Sequence, residues 1–298
     1  MKTLITGGAG FIGANLAEAL LAAGHEVVVV DNLAAGKREN VPASATFHQL
    51  DVLDTAALAS LLAGVDTIFH LAALPRVQFS LEHPREAHEA NVTGTLSVLA
   101  ASKEAGVRRL IFASSSSIYG DQPQLPLSEE MPAAPKSPYA AHKLMGEIYC
   151  KLYSELYPLE SVCLRFFNAY GPKQDPHSAY ALVIPKFLEM RRLGEALTIT
   201  GDGSQTRDFT HVADTARACI LAMESKQVGK GEVINIGAGR NVSVNRVAEL
   251  IGGPTEHIAP RIEPHDTLAD NSRAQELLGW VPTIALEQGI AELLKSTD

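Results

Sequence analysis

Met1-Lys2-Thr3-Leu4-Ile5-Thr6-Gly7-Gly8-Ala9-Gly10-Phe11-Ile12-Gly13 opens the chain. The first six residues read as a short strand, and the rest as a glycine-rich turn leading into a helix over residues 15–23. The spacing G-x-x-G-x-x-G lets the backbone turn tightly and approach a pyrophosphate, while the helix aims free N–H groups and its positive dipole end at the phosphates. Val27-Val28-Val29-Val30 forms a second apolar run. Asp31 follows it, about twenty residues after the turn, where a carboxylate accepts hydrogen bonds from an adenosine ribose. An acid at that place repels a 2′-phosphate, so NAD is expected over NADP, although Lys37 and Arg38 stand a few residues on.

Working outward, strand-like runs at residues 4–5, 27–30, 46–49, 67–71, 110–113 and 161–164 alternate with longer amphipathic segments. That alternation predicts a doubly wound parallel α/β sheet of the Rossmann class. Its long central helices are expected over residues 91–105, closed by Gly106, and 139–157, closed by Pro158. After Asn168 turn signals become denser, as in Gly201-Asp202-Gly203 and Gly252-Gly253-Pro254. Residues 1–168 therefore read as the dinucleotide-binding domain. Residues 169–298 read mainly as a smaller mixed α/β lobe, with a second ligand in the crevice between the two. Part of 208–240 is expected to return to the first domain, starting with an Asp-started helix over 208–225.

The chain has 298 residues, 46% of them hydrophobic and 20% charged, enough to bury a large core. Its net charge of −9 and pI near 5.6 argue against nucleic-acid or anionic-membrane partners, which need a basic face. No stretch approaches the about eighteen apolar residues that suggest a bilayer span, and a cytoplasmic location is expected. Cys150, Cys163 and Cys219 lack metal-ligand or redox spacing and read as core residues. His70, His88 and His142 likewise show no ligand spacing, and no metal is expected. Glu129-Glu130 and residues 82–89 read as solvated charge, and Trp280 as a packing anchor.

Tyr139-Ala140-Ala141-His142-Lys143 puts a phenol and an ammonium on one face of one helix. A Lys⁺ held close lowers the phenol pKa and can bond a nicotinamide ribose, which makes the tyrosine usable as a base near neutral pH. Ser114-Ser115-Ser116-Ser117 follows the apolar strand over 110–113, at the carboxyl end where α/β sheets place their sites. A hydroxyl there can hold a substrate oxygen whose proton Tyr139 takes or gives.

In this order the glycine turn, Asp31, the serines and Tyr-x-x-x-Lys make the chain resemble the extended short-chain dehydrogenase/reductases, specifically the nucleotide-sugar 4-epimerases. Further matching segments are His70-Leu71-Ala72-Ala73, Asn91-Val92-Thr93-Gly94-Thr95, Arg165-Phe166-Phe167-Asn168, Tyr170-Gly171-Pro172 and Arg207-Asp208-Phe209. The resemblance implies that Gly7, Gly10, Phe11, Ile12 and Gly13 surround the pyrophosphate, Asp31 and Asn32 the adenosine ribose, and Asp51 and Val52 the adenine. Leu71, Ala72, Ala73 and Asn91 fall to the cofactor as well, with Tyr139, Lys143 and Phe167 near its nicotinamide end. Ser115 and Tyr139 become the catalytic pair, supported by Lys143. Ser115, Ser116, Asn168, Val183 and Arg207 fall to the substrate, a UDP-sugar, with residues 174–186 as the uridine-side segment. Residues 260–270 resemble the family's closing motif and give Arg261 and Glu263 to the substrate, though one residue is missing between them. Thr267 matches the site bordering the sugar's C2 substituent. Its small side chain leaves room for an acetamido group, so UDP-GlcNAc and UDP-GalNAc are expected substrates, beside or instead of UDP-Glc and UDP-Gal. The resemblance also implies a homodimer through a four-helix bundle of the two long helices.

Three other readings compete. The 4,6-dehydratases of the same family need an added acid beside the catalytic serine, where this chain has Ser116 and Ser117. A nucleotide-4-keto-sugar reductase would consume NADPH and prefer a neutral or basic residue at Asp31. A non-catalytic NAD-binding regulator would have no need of both Tyr139 and Lys143.

Overall fold

The computed structural model describes residues 1–177, 182–259 and 266–297. The apolar runs become six parallel strands: β1 (Lys2–Thr6), β2 (Glu26–Asp31), β3 (Thr46–Gln49), β4 (Thr67–His70), β5 (Arg109–Ser115) and β6 (Glu160–Phe166). A further strand, Lys230–Ile236, joins β6, and the seven-stranded sheet runs from it through β6, β5, β4, β1 and β2 to β3. Thr3 pairs with Val27 on one side and Thr67 on the other, so the strand order reverses about β1 and opens a crevice at the strands' carboxyl ends.

Both faces of the sheet are covered, which is why Val27 to Val30 is a continuous apolar run rather than an alternating one. Helix α1 (Phe11–Ala22) and the helix Val212–Glu224 pack on one face together with Trp280, which is fully buried and donates its indole N–H to the Asp214 carbonyl at 2.9 Å. The helices Thr55–Ser60, Gly94–Glu104 and Pro138–Leu156 cover the other. A separate apolar cluster, with Phe187, Ile199, Val247 and Ile290 among its members, forms the core of the C-terminal lobe. All three cysteines are buried and unpaired. Among the described residues no helix is long and apolar enough to cross a membrane.

Several boundaries differ from the sequence reading. Helix α1 begins at Phe11 rather than at residue 15, so the glycine turn passes directly into it. The helix expected over 91–105 starts with a π-helical turn, Glu89–Thr93, before the α-helix Gly94–Glu104. Asp208 starts no helix. It ends the short strand Thr206–Asp208, and His211 caps the helix Val212–Glu224 by accepting the Ala213 N–H on Nδ1 at 3.3 Å. Glu129 is not simply solvated: it accepts the Asn235 N–H at 2.7 Å, and burial pushes its carboxyl up.

Candidate active site

The crevice is a cleft of about 1250 Å³ running along the carboxyl ends of the strands. Gly7, Gly10, Phe11, Ile12 and Gly13 line one end of it. Gly7 has φ +72°, and a Cβ on it would lie 2.6 Å from the Ala72 nitrogen; one on Gly13 would lie 2.3 Å from the Gly7 oxygen. Only glycine permits the turn to lie this close to the segment Leu71-Ala72-Ala73, which also lines the cleft. The first-turn N–H groups of α1 have no partner within the helix and provide anion donors.

Asp31 ends β2, with Oδ2 accepting the Ala9 N–H at 2.9 Å and Oδ1 the Leu33 N–H at 2.8 Å. The carboxylate is thereby fixed beside the turn with acceptor capacity left over. Asn32 donates to Asp51 Oδ2 at 2.8 Å, and Val52 stands next in the wall. Amide donors at a helix start, with a fixed carboxylate at the neighbouring strand end, fit the pyrophosphate and adenosine ribose of NAD.

At the far end of β5, Ser115 Oγ accepts from the Ser117 N–H at 3.2 Å and from the Ser117 hydroxyl at 2.9 Å, capping the turn Ser116–Tyr119. Tyr139 lies in the first turn of the helix Pro138–Leu156, and its N–H donates to Ser80 Oγ at 3.1 Å. One turn on, Lys143 donates to the Ala113 carbonyl at 2.7 Å, with Nζ 5.9 Å from the centre of the Tyr139 ring. Burial pushes the Tyr139 phenol up, while a hydrogen bond with Ser115 and the Arg76 charge pull it back. Burial lowers Lys143 to about 8. Behind them His70 lies 2.8 Å from Thr6 Oγ1 and 3.0 Å from Thr95 Oγ1, and burial, with Lys143 nearby, lowers it to about 3, so it is neutral near pH 7.

The opposite wall carries Asn168, Arg207 and Thr267, and Ser116 also lines the cleft. Asn168 has φ +26°, a left-handed conformation, and its amide reaches Thr267 Oγ1 at 3.3 Å. Arg207 donates to the Thr206 carbonyl at 2.8 Å. The neighbouring Asp208 is fully buried and accepts three backbone N–H groups, from Ala238 (2.6 Å), Gly239 (3.0 Å) and Ala269 (2.9 Å). Burial outweighs those bonds and pushes its carboxyl up to about 6.

Three expected site residues stand elsewhere. Phe167 is fully buried against Tyr119, Leu127 and Ala269, and Phe166 takes the place in the cleft wall. Asn91 is buried outside the lining: its amide clamps Leu74, accepting the N–H at 2.7 Å and donating to the C=O at 3.1 Å. Val183 opens the helix Val183–Arg192, whereas the preceding Leu182 lines the cleft. Arg261 and Glu263 lie outside the described residues, as do 178–181 of the uridine-side segment. Arg76 lines the cleft and was not among the expected residues; its signal is a cation in Leu74-Pro75-Arg76-Val77, directly after a lining segment.

The model of the NAD dependent epimerase/dehydratase family matches residues 3–237. The chain is 40% identical to a UDP-glucose 4-epimerase of Mycolicibacterium smegmatis over 313 residues, covering 99% of this chain and 98% of the relative. Among solved structures it is similar to UDP-glucose 4-epimerase from Thermotoga maritima with UDP-glucose, with TM-score 0.94, 35% identity and full coverage of both chains. It is similar also to UDP-N-acetylglucosamine 4-epimerase from Methanobrevibacter ruminantium in complex with UDP-N-acetylmuramic acid, with TM-score 0.93, 36% identity and coverage of 99% and 97%.

Proposed function

The chain belongs to the NAD dependent epimerase/dehydratase family, and from that premise we propose that it is a UDP-sugar 4-epimerase. The reading is carried by one juxtaposition: Ser115, Tyr139 and Lys143 share a continuous cleft with the glycine turn on one side and Asn168, Arg207 and Thr267 on the other. The cofactor falls to residues 1–168 together with the part of 208–240 that returns to the main sheet, and the nucleotide sugar mainly to 169–298.

NAD, when bound, supplies a reversible hydride acceptor for the sugar's C4, so none is consumed. Gly7, Gly10, Phe11, Ile12 and Gly13 hold its pyrophosphate; Asp31, Asn32, Asp51 and Val52 hold its adenosine. Tyr139 takes the proton of the sugar 4-hydroxyl and returns it after the 4-keto sugar has turned its other face. The Ser115 hydrogen bond and the positive charge of Arg76 favour the phenolate that this requires, and Lys143 stands one helical turn away. Ser115 holds the O4 atom. Arg207 offers a planar donor fork to the diphosphate, and Asn168 assists.

The small side chain of Thr267 supports acceptance of N-acetylated hexoses beside unsubstituted ones. An exposed apolar row on the helix Pro138–Leu156 supports a homodimer, and the three buried free thiols suit the reducing cytoplasm. The test is to incubate the protein separately with UDP-Gal, UDP-Glc, UDP-GalNAc and UDP-GlcNAc, with and without NAD, and to separate the products by chromatography. C4 epimers are the expected result. If none forms with any of the four, nor with a UDP-hexuronic acid, the reading falls and 4-keto-sugar reduction takes its place.

A further inference from the structure

We infer that Arg76 recognises a carboxylate on the sugar, so that the cleft selects a nucleotide-linked hexuronic acid over the corresponding neutral hexose. This rests on the 4-epimerase reading only in placing the sugar, rather than the diphosphate, beside Tyr139.

The loop that carries Arg76 is held at both ends. Asn91, only 3% exposed, clamps both backbone groups of Leu74. The Arg76 carbonyl accepts the Ser80 N–H at 3.0 Å, and Ser80 Oγ accepts the Tyr139 N–H at 3.1 Å. Arg76 is thus tied through one helical turn to the residue proposed to act on O4, and it stands in the cleft wall.

The other cations of the cleft have partners. Lys37 lies 3.6 Å from Asp175, Lys136 3.4 Å from Asp121 and Lys173 2.5 Å from Glu18, while Lys143 and Arg207 donate to backbone carbonyls. Among the described residues the Arg76 side chain makes neither an ion pair nor a hydrogen bond. Asp175 acts on it only at longer range and is engaged by Lys37. A half-buried guanidinium stays charged, and leaving it without an acceptor costs free energy. Burial accordingly pulls its pKa below the usual arginine range. Its rigid fork of donors matches the two oxygens of a carboxylate. The hydroxymethyl group of a neutral hexose offers a single oxygen without charge.

The test is calorimetric titration of the NAD-loaded protein, parent and Arg76→Gln, with UDP-glucuronic acid and with UDP-glucose, reading the ratio of their two Kd values. The two ligands share the nucleotide and diphosphate and differ at C6. The parent is expected to favour the acid, and the substitution to reduce that preference about 10- to 100-fold, the range for a hydrogen-bonded charge lost from a partly buried site. Arg76→Lys, which keeps the charge and loses the fork, is expected to fall between, and it serves in place of Arg76→Gln should that variant fail to fold. A ratio unchanged in both variants overturns the inference: equal weakening of both ligands would assign Arg76 to the diphosphate or another shared group, and no weakening would make it a solvated charge. Because the readout is binding, a collapsed ratio in a protein that epimerises no UDP-sugar would sink the 4-epimerase reading and leave this one standing.

Discussion

Tyr139 sits in surroundings that oppose its own ionisation. Burial raises the phenol, and only the Ser115 hydrogen bond and nearby positive charge work against that. Replacing it by Phe removes the proposed base while preserving the ring's packing. We expect kcat to fall about 10²- to 10⁴-fold, the usual contribution of a positioned acid–base group, with NAD still bound when measured by its release on denaturation. Retained turnover would remove Tyr139 from the chemistry. Thr267 is constrained in a different way, since its hydroxyl accepts from both Asn168 and the Asp208 N–H at 3.3 Å. Thr267→Tyr puts a ring where an acetamido group is proposed to lie. The expected outcome is a drop of about tenfold or more in kcat/KM for UDP-GlcNAc relative to UDP-Glc; equal losses on both sugars would show only that the Asn168 contacts had been disturbed.

At the level of elements, the helix bearing Tyr139 and Lys143 is fixed to the sheet by a buried ion pair. Glu147, one turn beyond Lys143, receives two bonds from Arg165 on β6, at 2.9 and 2.8 Å, and one from Ser114 on β5 at 2.5 Å. Both members of the pair are almost wholly buried, and the guanidinium lies 4.6 Å from the centre of the Tyr119 ring. Burial works against the Arg165 cation, but Glu147 and Tyr119 more than offset it and raise its pKa. Ser114 precedes Ser115, so the same carboxylate holds both strand and helix at the proposed catalytic pair. Glu147→Ala strands a buried cation and is expected to cost about 3–5 kcal/mol of stability, read from the denaturant midpoint. A loss below about 1 kcal/mol would mean that water replaces the carboxylate without difficulty.

For the whole molecule, the same helix presents a second face outward. Met145, Ile148, Leu152 and Leu156 recur at helical spacing and are exposed, Ile148 by 51%. A row of this kind is expected to be covered in solution, and the proposed homodimer would cover it with a second copy through a four-helix bundle. Ile148→Glu places a charge in the middle of the row, and sedimentation velocity is expected to show a dimer for the parent and a monomer for the variant. A parent that sediments as a monomer would leave the row to another partner.

Much of the fold and part of the site were legible because their causes are local. Strand, glycine turn and helix succeed one another within the first 22 residues, the valines of β2 announce a strand covered on both faces, and the i, i+4 spacing places Tyr139 and Lys143 on one side of a helix whatever surrounds it. Other features depend on partners distant in sequence. Asp208 reads as a helix start, yet its carboxylate is taken up by Ala269, 61 residues on. Asn91 reads as a cofactor contact, but it holds a loop 17 residues earlier. Between Phe166 and Phe167, only the packing of Tyr119, Leu127 and Ala269 decides which ring is buried and which faces the cleft. Arg76 carries no periodicity at all; its charge, unpaired among the described residues, becomes visible only once the other cations of the cleft have found their partners. Backbone geometry and side-chain periodicity act over a few residues and are written in the sequence itself, whereas the partner of a buried polar group is set by which segments the completed fold brings together.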